Sequence, residues 1–503
     1  MIMKRFLSLF LALTACVSVL ASAACSSGND AAEDTTAAET TAAPETAESV
    51  PETTADPLAD NLPDDVSYDG YTFRIGATSK DEQWINYIIR PEQKGEVLND
   101  TIYEANLAVA ERFDIAFEHV PFAASNSGAL SEIVQNARAG DDTYDILTMH
   151  DLKSGEATLQ GVFRNVYDLE HVDFDKPWWP AHTVNALTVN GRMYTISNSM
   201  SYYGIYSTRC LFFNKGLMTS LGIELPYEDV RQGTWYLDDL INMTKDVYSD
   251  VDMDGARSIG DRYGIAITGT AYCFLECFGT DVYGRDENGL ITDNFYNERN
   301  VTIVEKSNAW FNGGSEGAYF SGTPKGTYDI GSGLAMFAGG NVLFTFRALG
   351  HMVQACMASD VEYGILPMPK LDEQQDDYIS GCVDNPICIP ITNQNMDRTG
   401  MIVEAMSAEG YRKVQPAYTE TVMKERYATD KDSVEMLDII FNNRMLAAGY
   451  LFADTSCRLQ TVHDTIWRQG SSNINITSHY ESVKRMFQTK IDGLNSFFSK
   501  AEE

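Results

Sequence analysis

The sequence predicts an α/β protein of two domains, on three observations. Between Tyr71 and Met149, short apolar runs alternate with amphipathic stretches in the order strand, helix, strand, helix, strand. That alternation is the pattern of a parallel sheet with crossover helices. A second unit of similar make-up opens near Met193. Finally, the chain has 503 residues and is 44% hydrophobic, more apolar material than one core usually accommodates.

Taken in order, Tyr71 to Gly76 reads as a strand. Asp100 is expected to cap a helix that places Ile102, Ala105, Val109 and Phe113 on one face. Asp114 to Val120 is the second strand. Leu130, Ile133, Val134 and Ala137 recur at helical spacing, Gly140 stops that helix, and Tyr144 to Met149 is the third strand. In the second unit, Leu211, Phe212 and Phe213 form a buried strand. Thr234 caps a helix with Leu237, Leu240, Ile241, Thr244 and Val247 facing inward, and Tyr263 to Ile267 returns as a strand. Val342 to Phe346, Val361 to Leu366 and Ile387 to Ile391 read as further strands, followed by a mainly helical C-terminal portion with no internal repeat.

The first residues read as an export signal: Lys4 and Arg5, then an apolar run from Phe6 to Leu13, then small residues. Ser22-Ala23-Ala24-Cys25 resembles a lipoprotein cleavage box, which makes residues 1–24 a signal peptide and Cys25 the lipidated residue. Leu13-Thr14-Ala15-Cys16 fits the box better, but Val17 to Leu20 would then be an exposed apolar end. Cleavage near Ala24 without lipidation is the plainer alternative. Residues 25–65 hold Ala, Thr, Glu, Asp and Pro, with no Lys or Arg between Arg5 and Arg74. They cannot bury enough apolar surface to offset ordering entropy, and are expected to form a disordered tether with a reach of about 35 Å.

The formal charge of −35 argues against a nucleic-acid partner, whose phosphates require a basic face. It also favours a neutral solute, although a local site can override the bulk field. Seven cysteines follow Cys25, an odd number without zinc or redox spacing. Cys382 with Cys388, or Cys273 with Cys277, would bridge in an oxidising setting; free buried thiols are the equal alternative.

Several fragments recur in a telling order: Gly95-Glu96-Val97-Leu98-Asn99-Asp100 leading into the first helix, Lys176-Pro177-Trp178-Trp179, Phe213-Asn214-Lys215, Gly233-Thr234-Trp235, and Tyr363-Gly364-Ile365-Leu366-Pro367-Met368-Pro369. In this order and spacing the chain resembles the bacterial extracellular solute-binding proteins of the sugar-importing type, family 1. The resemblance covers most of the chain beyond the tether. It implies a two-lobed, type II periplasmic-binding-protein-like fold with the ligand clamped between lobes. Lobe one would comprise 66–203 and 335–390, lobe two 204–334 and 391–503, with crossovers near Tyr203, Leu334 and Pro390. The implied role is capture of a small solute, a mono- or oligosaccharide, for an ABC importer. The protein would work as a monomer with permease subunits, lipid-anchored on the extracellular face of the cell membrane.

Two sets of residues carry candidate chemistry. Asp250, Asp252 and Asp254, with Gly255, Ala256, Ser258 and Asp261, reproduce a twelve-residue calcium-loop spacing, with Asp261 in the closing position. A structural calcium is expected there, because alternating carboxylates repel unless a cation neutralises them; a solvated acidic turn is the alternative. Trp84, Trp178, Trp179, Tyr202 and Tyr203 lie near strand ends or the first crossover and are candidate stacking faces for a sugar. Arg347, Asp384 and Asn385 lie near the ends of strands expected to return to lobe one, as hydrogen-bonding partners. Trp235 and Trp310 read as core, and Trp467 as either. Catalysis finds little support: Gly313-Gly314-Ser315-Glu316-Gly317 spells a nucleophile elbow but follows a helix, and there is no HExxH, Walker or full dinucleotide motif. An exported glycan hydrolase and a permease-independent glycan-binding or sensory protein are the alternatives.

Overall fold

The computed structural model describes residues 56–78, 82–123, 125–255, 257–267, 273–312, 318–320, 330–356, 359–424, 431–453 and 475–500. The leader, Cys16, Cys25 and the first part of the tether lie outside the described residues, as do Ala256, the Gly313 to Gly317 motif, Cys457 and Trp467.

The first sheet is built as the alternation predicts. β1 (Tyr71–Thr78) pairs in parallel with β2 (Ile115–Phe122) and with β3 (Ile146–Thr148). The helix Val97–Phe113 buries Ile102, Ala105, Val109 and Phe113, and stops where Asp114 takes a left-handed φ of 49°. Its N-cap is Glu96, not Asp100. The Asp100 carboxylate accepts the N–H groups of Lys94 and Gly95, so it pins the preceding turn from inside the first helical turn. The helix Asn126–Ala139 starts on Ser125, whose hydroxyl accepts from Gly128 N–H, and ends at Gly140 with φ of 75°, a conformation glycine adopts without a Cβ penalty.

The second sheet has β4 (Arg209–Asn214) and β5 (Tyr263–Ile267), with β8 (Ala318–Phe320), β9 (Val342–Ala348) and β10 (Tyr363–Leu366). Its order is β10, β4, β9, β5, β8. Between β5 and β8, β6 (Tyr283–Arg285) and β7 (Ile291–Asp293) form a separate antiparallel pair. β5 is parallel to β8 and β9, and β4 is antiparallel to β9 and β10. This corrects the assignment of 335–390 to the first lobe: β9 and β10 belong to the second sheet, and no crossing falls at Leu334. After β11 (Ser380–Gly381), β12 (Ile387–Cys388) joins the first sheet, antiparallel to β3, giving the order β12, β3, β1, β2. The return between sheets therefore lies between β10 and β12. Pro390 is not a crossing either: it bridges Phe163, and the helix Met396–Glu409 packs on the helix Val97–Phe113. Strand membership is set by long-range pairing, which apolar runs alone do not specify.

The C-terminal portion is helical, as expected. Met396–Glu409 runs through a π turn, Gly410–Val414, into the helix Gln415–Lys424. The wider turn brings Gly410 against the Ser199 carbonyl, where a Cβ would overlap it. The helix Lys431–Asn442 packs on β10, β13 (Arg444–Met445) pairs with β11, and the helix Ile476–Phe498 buries the stripe Tyr480, Val483, Phe487, Ile491 and Leu494. Trp235 and Trp310 are core residues, as expected.

Residues ahead of position 66 are already ordered. Leu62 is buried, and Asp60 is held by Arg112 at 2.8 Å and by Arg412 at 3.2 Å. Burial opposes the Asp60 charge, but the bonds to Arg112 and the Leu62 N–H prevail and hold its pKa below the usual carboxylate value. Two arginines from different helices order an acidic segment whose composition alone predicts disorder.

Candidate functional site

In open α/β sheets, ligands bind beyond the carboxyl ends of the parallel strands. Trp84 lies there, on the short helix Glu82–Asn86 after β1; its half-buried ring meets that of His150, just past β3, at 6.2 Å. Burial opposes a charge on His150, but the Asp151 carboxylate 2.7 Å away raises its pKa.

The first crossing carries the short helix Tyr203–Ser207. Tyr203 and Tyr206, three residues apart on one helical face, stack at 6.1 Å with an interplanar angle of 18°. Tyr87 meets Tyr202, Tyr203 and Tyr206 at 4.7, 4.8 and 5.9 Å. Tyr206 touches His351 edge-on at 5.4 Å, and so reaches the helix Leu349–Cys356 that follows β9. This contact depends on Gly350, where a Cβ would overlap the Tyr206 ring. The result is a wall of partly exposed rings in which Tyr87, Tyr203 and Tyr206 touch, and Trp84, joined to Tyr87 through a backbone hydrogen bond of 3.2 Å, extends it toward the first sheet.

Three of the five predicted stacking residues have another role. Trp178 and Trp179 are 0% and 3% exposed, and their indole N–H groups donate, at 3.0 Å each, to the two oxygens of Glu404. That burial makes them packing residues in place of the sugar platforms read from the sequence. Tyr202 is likewise buried, with the Tyr418 ring 5.7 Å from its own. Trp84 and Tyr203 keep ring surface. Tyr87, Tyr206, His150 and His351 are additions that sequence reading missed; the Tyr203 and Tyr206 spacing was the available signal.

Arg347 stands on β9 opposite Cys210 of β4, so it belongs to the second sheet and not to a returning first-sheet strand. Arg209, one pair further along, donates to the Ser207 carbonyl. Asp384 and Asn385 lie between β11 and β12, beside the carboxyl end of β3. Asp384 accepts from Ser197 Oγ and from the Asn385 N–H at 2.8 Å. Burial pushes its pKa up to about 6, against the pull of Ser197 and Arg444. Gly204 makes room for this group, since a Cβ there would lie 3.0 Å from Asp384 Oδ2. Asn385 accepts from Thr148 Oγ1 at 2.7 Å through its carbonyl. His351 is lowered to about 4 by partial desolvation and by Arg347 and Arg209.

The acidic loop lies apart from this wall. Asp250, Asp252 and Asp254 bring carboxylate oxygens within 4.8 Å of one another, and Gly255 turns with φ of 75°. Ser258 Oγ donates to Asp252 at 3.3 Å. Asp261, the expected closing ligand, is instead fully buried and accepts the N–H groups of Val251 and Ser258 and the Tyr248 hydroxyl. It serves the loop's own backbone because an Asp is too short to reach both places. Cys210, Cys273, Cys277, Cys356, Cys382 and Cys388 are buried free thiols, which is the second of the two alternatives left open by their spacing. Two cavities of about 490 and 530 Å³ are lined by none of the ring-wall residues. The first has an amide-rich lining in which Asn294 and Asn297 bond to each other.

No family model matches the chain, and a search of curated proteins finds no match. Solved structures do match in fold. A cyclo/maltodextrin-binding protein complexed with maltotetraose is 14% identical, with a TM-score of 0.54, covering 84% of this chain and 97% of that one. A sugar transporter from Rhizobium etli in an open conformation is 13% identical, with a TM-score of 0.54, covering 86% and 100%. UspC of Mycobacterium tuberculosis is 14% identical, with a TM-score of 0.53, covering 85% and 100%. The chain thus has the two-lobed, periplasmic-binding-protein-like fold expected of it.

Proposed function

We propose that this protein is an extracytoplasmic solute-binding protein that captures a carbohydrate between its lobes for an ABC importer. The observation that carries the reading is the wall of half-buried rings, Trp84, Tyr87, Tyr203 and Tyr206, at the carboxyl ends of β1 and β3 and along the first crossing. Ring faces of this kind match the C–H face of a pyranose. The solved neighbours of this fold described as binding or transporting sugars support it.

The reading extends to the partners. The solute is handed to permease subunits, the chain acts as a monomer without turning the sugar over, and Cys25 anchors it outside the cell membrane. A calcium ion in the Asp250, Asp252 and Asp254 loop would brace the fold without touching the solute, with Ala256 and Ser258 as further oxygen donors. In a native host, Cys25→Ala should release the protein from the membrane fraction; release by Cys16→Ala alone would move the anchor.

The central test is a thermal-shift screen of the purified protein against a saccharide panel, followed by scattering. A bound sugar should raise Tm and reduce the radius of gyration as the lobes close. Release of shorter glycans on long incubation would favour the hydrolase instead.

A further inference from the structure

The buried polar groups where the sheets meet the ring wall are largely hydrogen-bond donors. Arg347 and Arg209 are 3% and 2% exposed, adjacent along the antiparallel β4 and β9 pair. Both keep partners within the protein, so neither is a bare charge. Asn385 is 6% exposed, and its Nδ2 donates to no acceptor among the described residues. The nearby carboxylates are already engaged: Asp384 with Ser197 and the Asn385 N–H, Asp151 with its neighbour's N–H and His150, and the buried Glu276, near Arg209, with a partner within the protein. His351, edge-on to Tyr206, lies within the field of Arg347 and Arg209, which adds to its desolvation in disfavouring a charge there.

A buried donor without an acceptor is costly unless a ligand supplies one. A neutral sugar offers hydroxyls that both donate and accept, whereas a carboxylate offers acceptors only, in the planar pair that a guanidinium fork matches. The net charge of −35 does not decide the matter, because exposed charges are screened beyond about 8–10 Å while a buried contact is not.

We infer that the solute is an acidic saccharide, one bearing a uronate, whose carboxylate is received by Arg347 with Asn385 beside it while its ring lies on Trp84, Tyr203 and Tyr206. This rests on the carbohydrate reading and narrows it, departing from the neutral solute expected from bulk charge.

The test is calorimetric titration of the full-length protein with di- and trigalacturonate, and with the same oligomers carboxyl-reduced to their neutral counterparts. The acidic oligomers should bind at least about tenfold more tightly, and Arg347→Met should weaken them roughly 100-fold, the scale of a lost charge-assisted pair, and so by a clearly larger factor than the neutral ones. Should Arg347→Met fold poorly, Asn385→Asp gives a second arm: a carboxylate facing a carboxylate should abolish the acidic preference. Equal or tighter binding of the neutral oligomers overturns the inference and leaves the carbohydrate reading standing. Undiminished uronate binding by a folded Arg347→Met also overturns it. Binding of neither series, with none in the wider saccharide panel, sinks both.

Discussion

Two aromatic groups near the first crossing, alike in composition, have opposite fates. Trp178 and Trp179 are sealed in the core, their N–H groups both spent on Glu404. Trp84, Tyr203 and Tyr206 keep ring surface at the strand ends. What separates them is a partner more than two hundred residues away: a buried carboxylate that satisfies two indoles lets them desolvate completely. The rings of the wall instead rest on one another and on Gly350. Proximity to a crossing says that an aromatic is central, and only its polar partner says whether it is scaffold or surface.

The largest effects should come from breaking the sealed pair. Glu404→Ala strands two buried donors, and Trp178→Ala opens a large cavity; each should cost roughly 3–5 kcal/mol in urea unfolding. Solute affinity of whatever remains folded should be near wild type. If either variant unfolds like wild type while losing binding, the two groups have been assigned in reverse.

Substitutions in the ring wall should do the opposite. Trp84→Ala, Tyr203→Ala and Tyr206→Ala should each weaken saccharide binding by roughly 1–3 kcal/mol, with a stability change below about 1 kcal/mol. Gly350→Ala displaces the Tyr206 ring and should lower both affinity and stability, by about 1–3 kcal/mol for overpacking. Titration calorimetry and a melting curve on each variant separate the two quantities.

A smaller effect sharpens the contrast by pH. Burial pushes Glu404 up to about 7, against the pull of Trp179 and Trp178, and Asp384 up to about 6. Both folded values lie above the unfolded ones, so the folded state binds more protons between them. Their stability contribution is complete below the unfolded pKa near 4 and is lost as pH rises through 6 and 7. Stability should therefore climb by about 1–2 kcal/mol from pH 8 to pH 5. Glu404→Gln should flatten the part of the curve near pH 7, while Trp84→Ala should leave the curve unchanged in shape.

Calcium should act least. If the Asp250 loop binds it, Tm rises by a few degrees with calcium at many times its Kd. Asp250→Ala with Asp254→Ala removes that rise and leaves saccharide affinity untouched. A calcium effect on affinity would tie the loop to the ring wall and contradict their separation.

Elements whose signals are local were legible. The helix Val97–Phe113 shows its buried stripe in its spacing, and Gly140 marks a helix end by its own left-handed conformation. Caps differ by a few residues, Glu96 in place of Asp100 and Tyr236 in place of Thr234, because Asp100 turns its carboxylate to the N–H groups of Lys94 and Gly95 and Thr234 gives its hydroxyl to the Asp229 carbonyl. In the candidate site, Trp84 and Tyr203, chosen from topology, keep exposed ring surface. Tyr206 and His351 were not chosen, since their contact requires two distant segments and a glycine between them.

By itself, then, the sequence determined the alternating elements, the α/β class, and the presence of an apolar content too large for one core, because periodicity and turn chemistry act over a few residues. Only the tertiary structure decided that β9 and β10 join the second sheet, that Asp60 is ordered by Arg112 and Arg412, that Asp261 turns to its own backbone, and that Glu404 buries two tryptophans. Each of those outcomes is a choice among partners far apart in the chain, made by which pairing leaves the fewest buried polar groups unsatisfied.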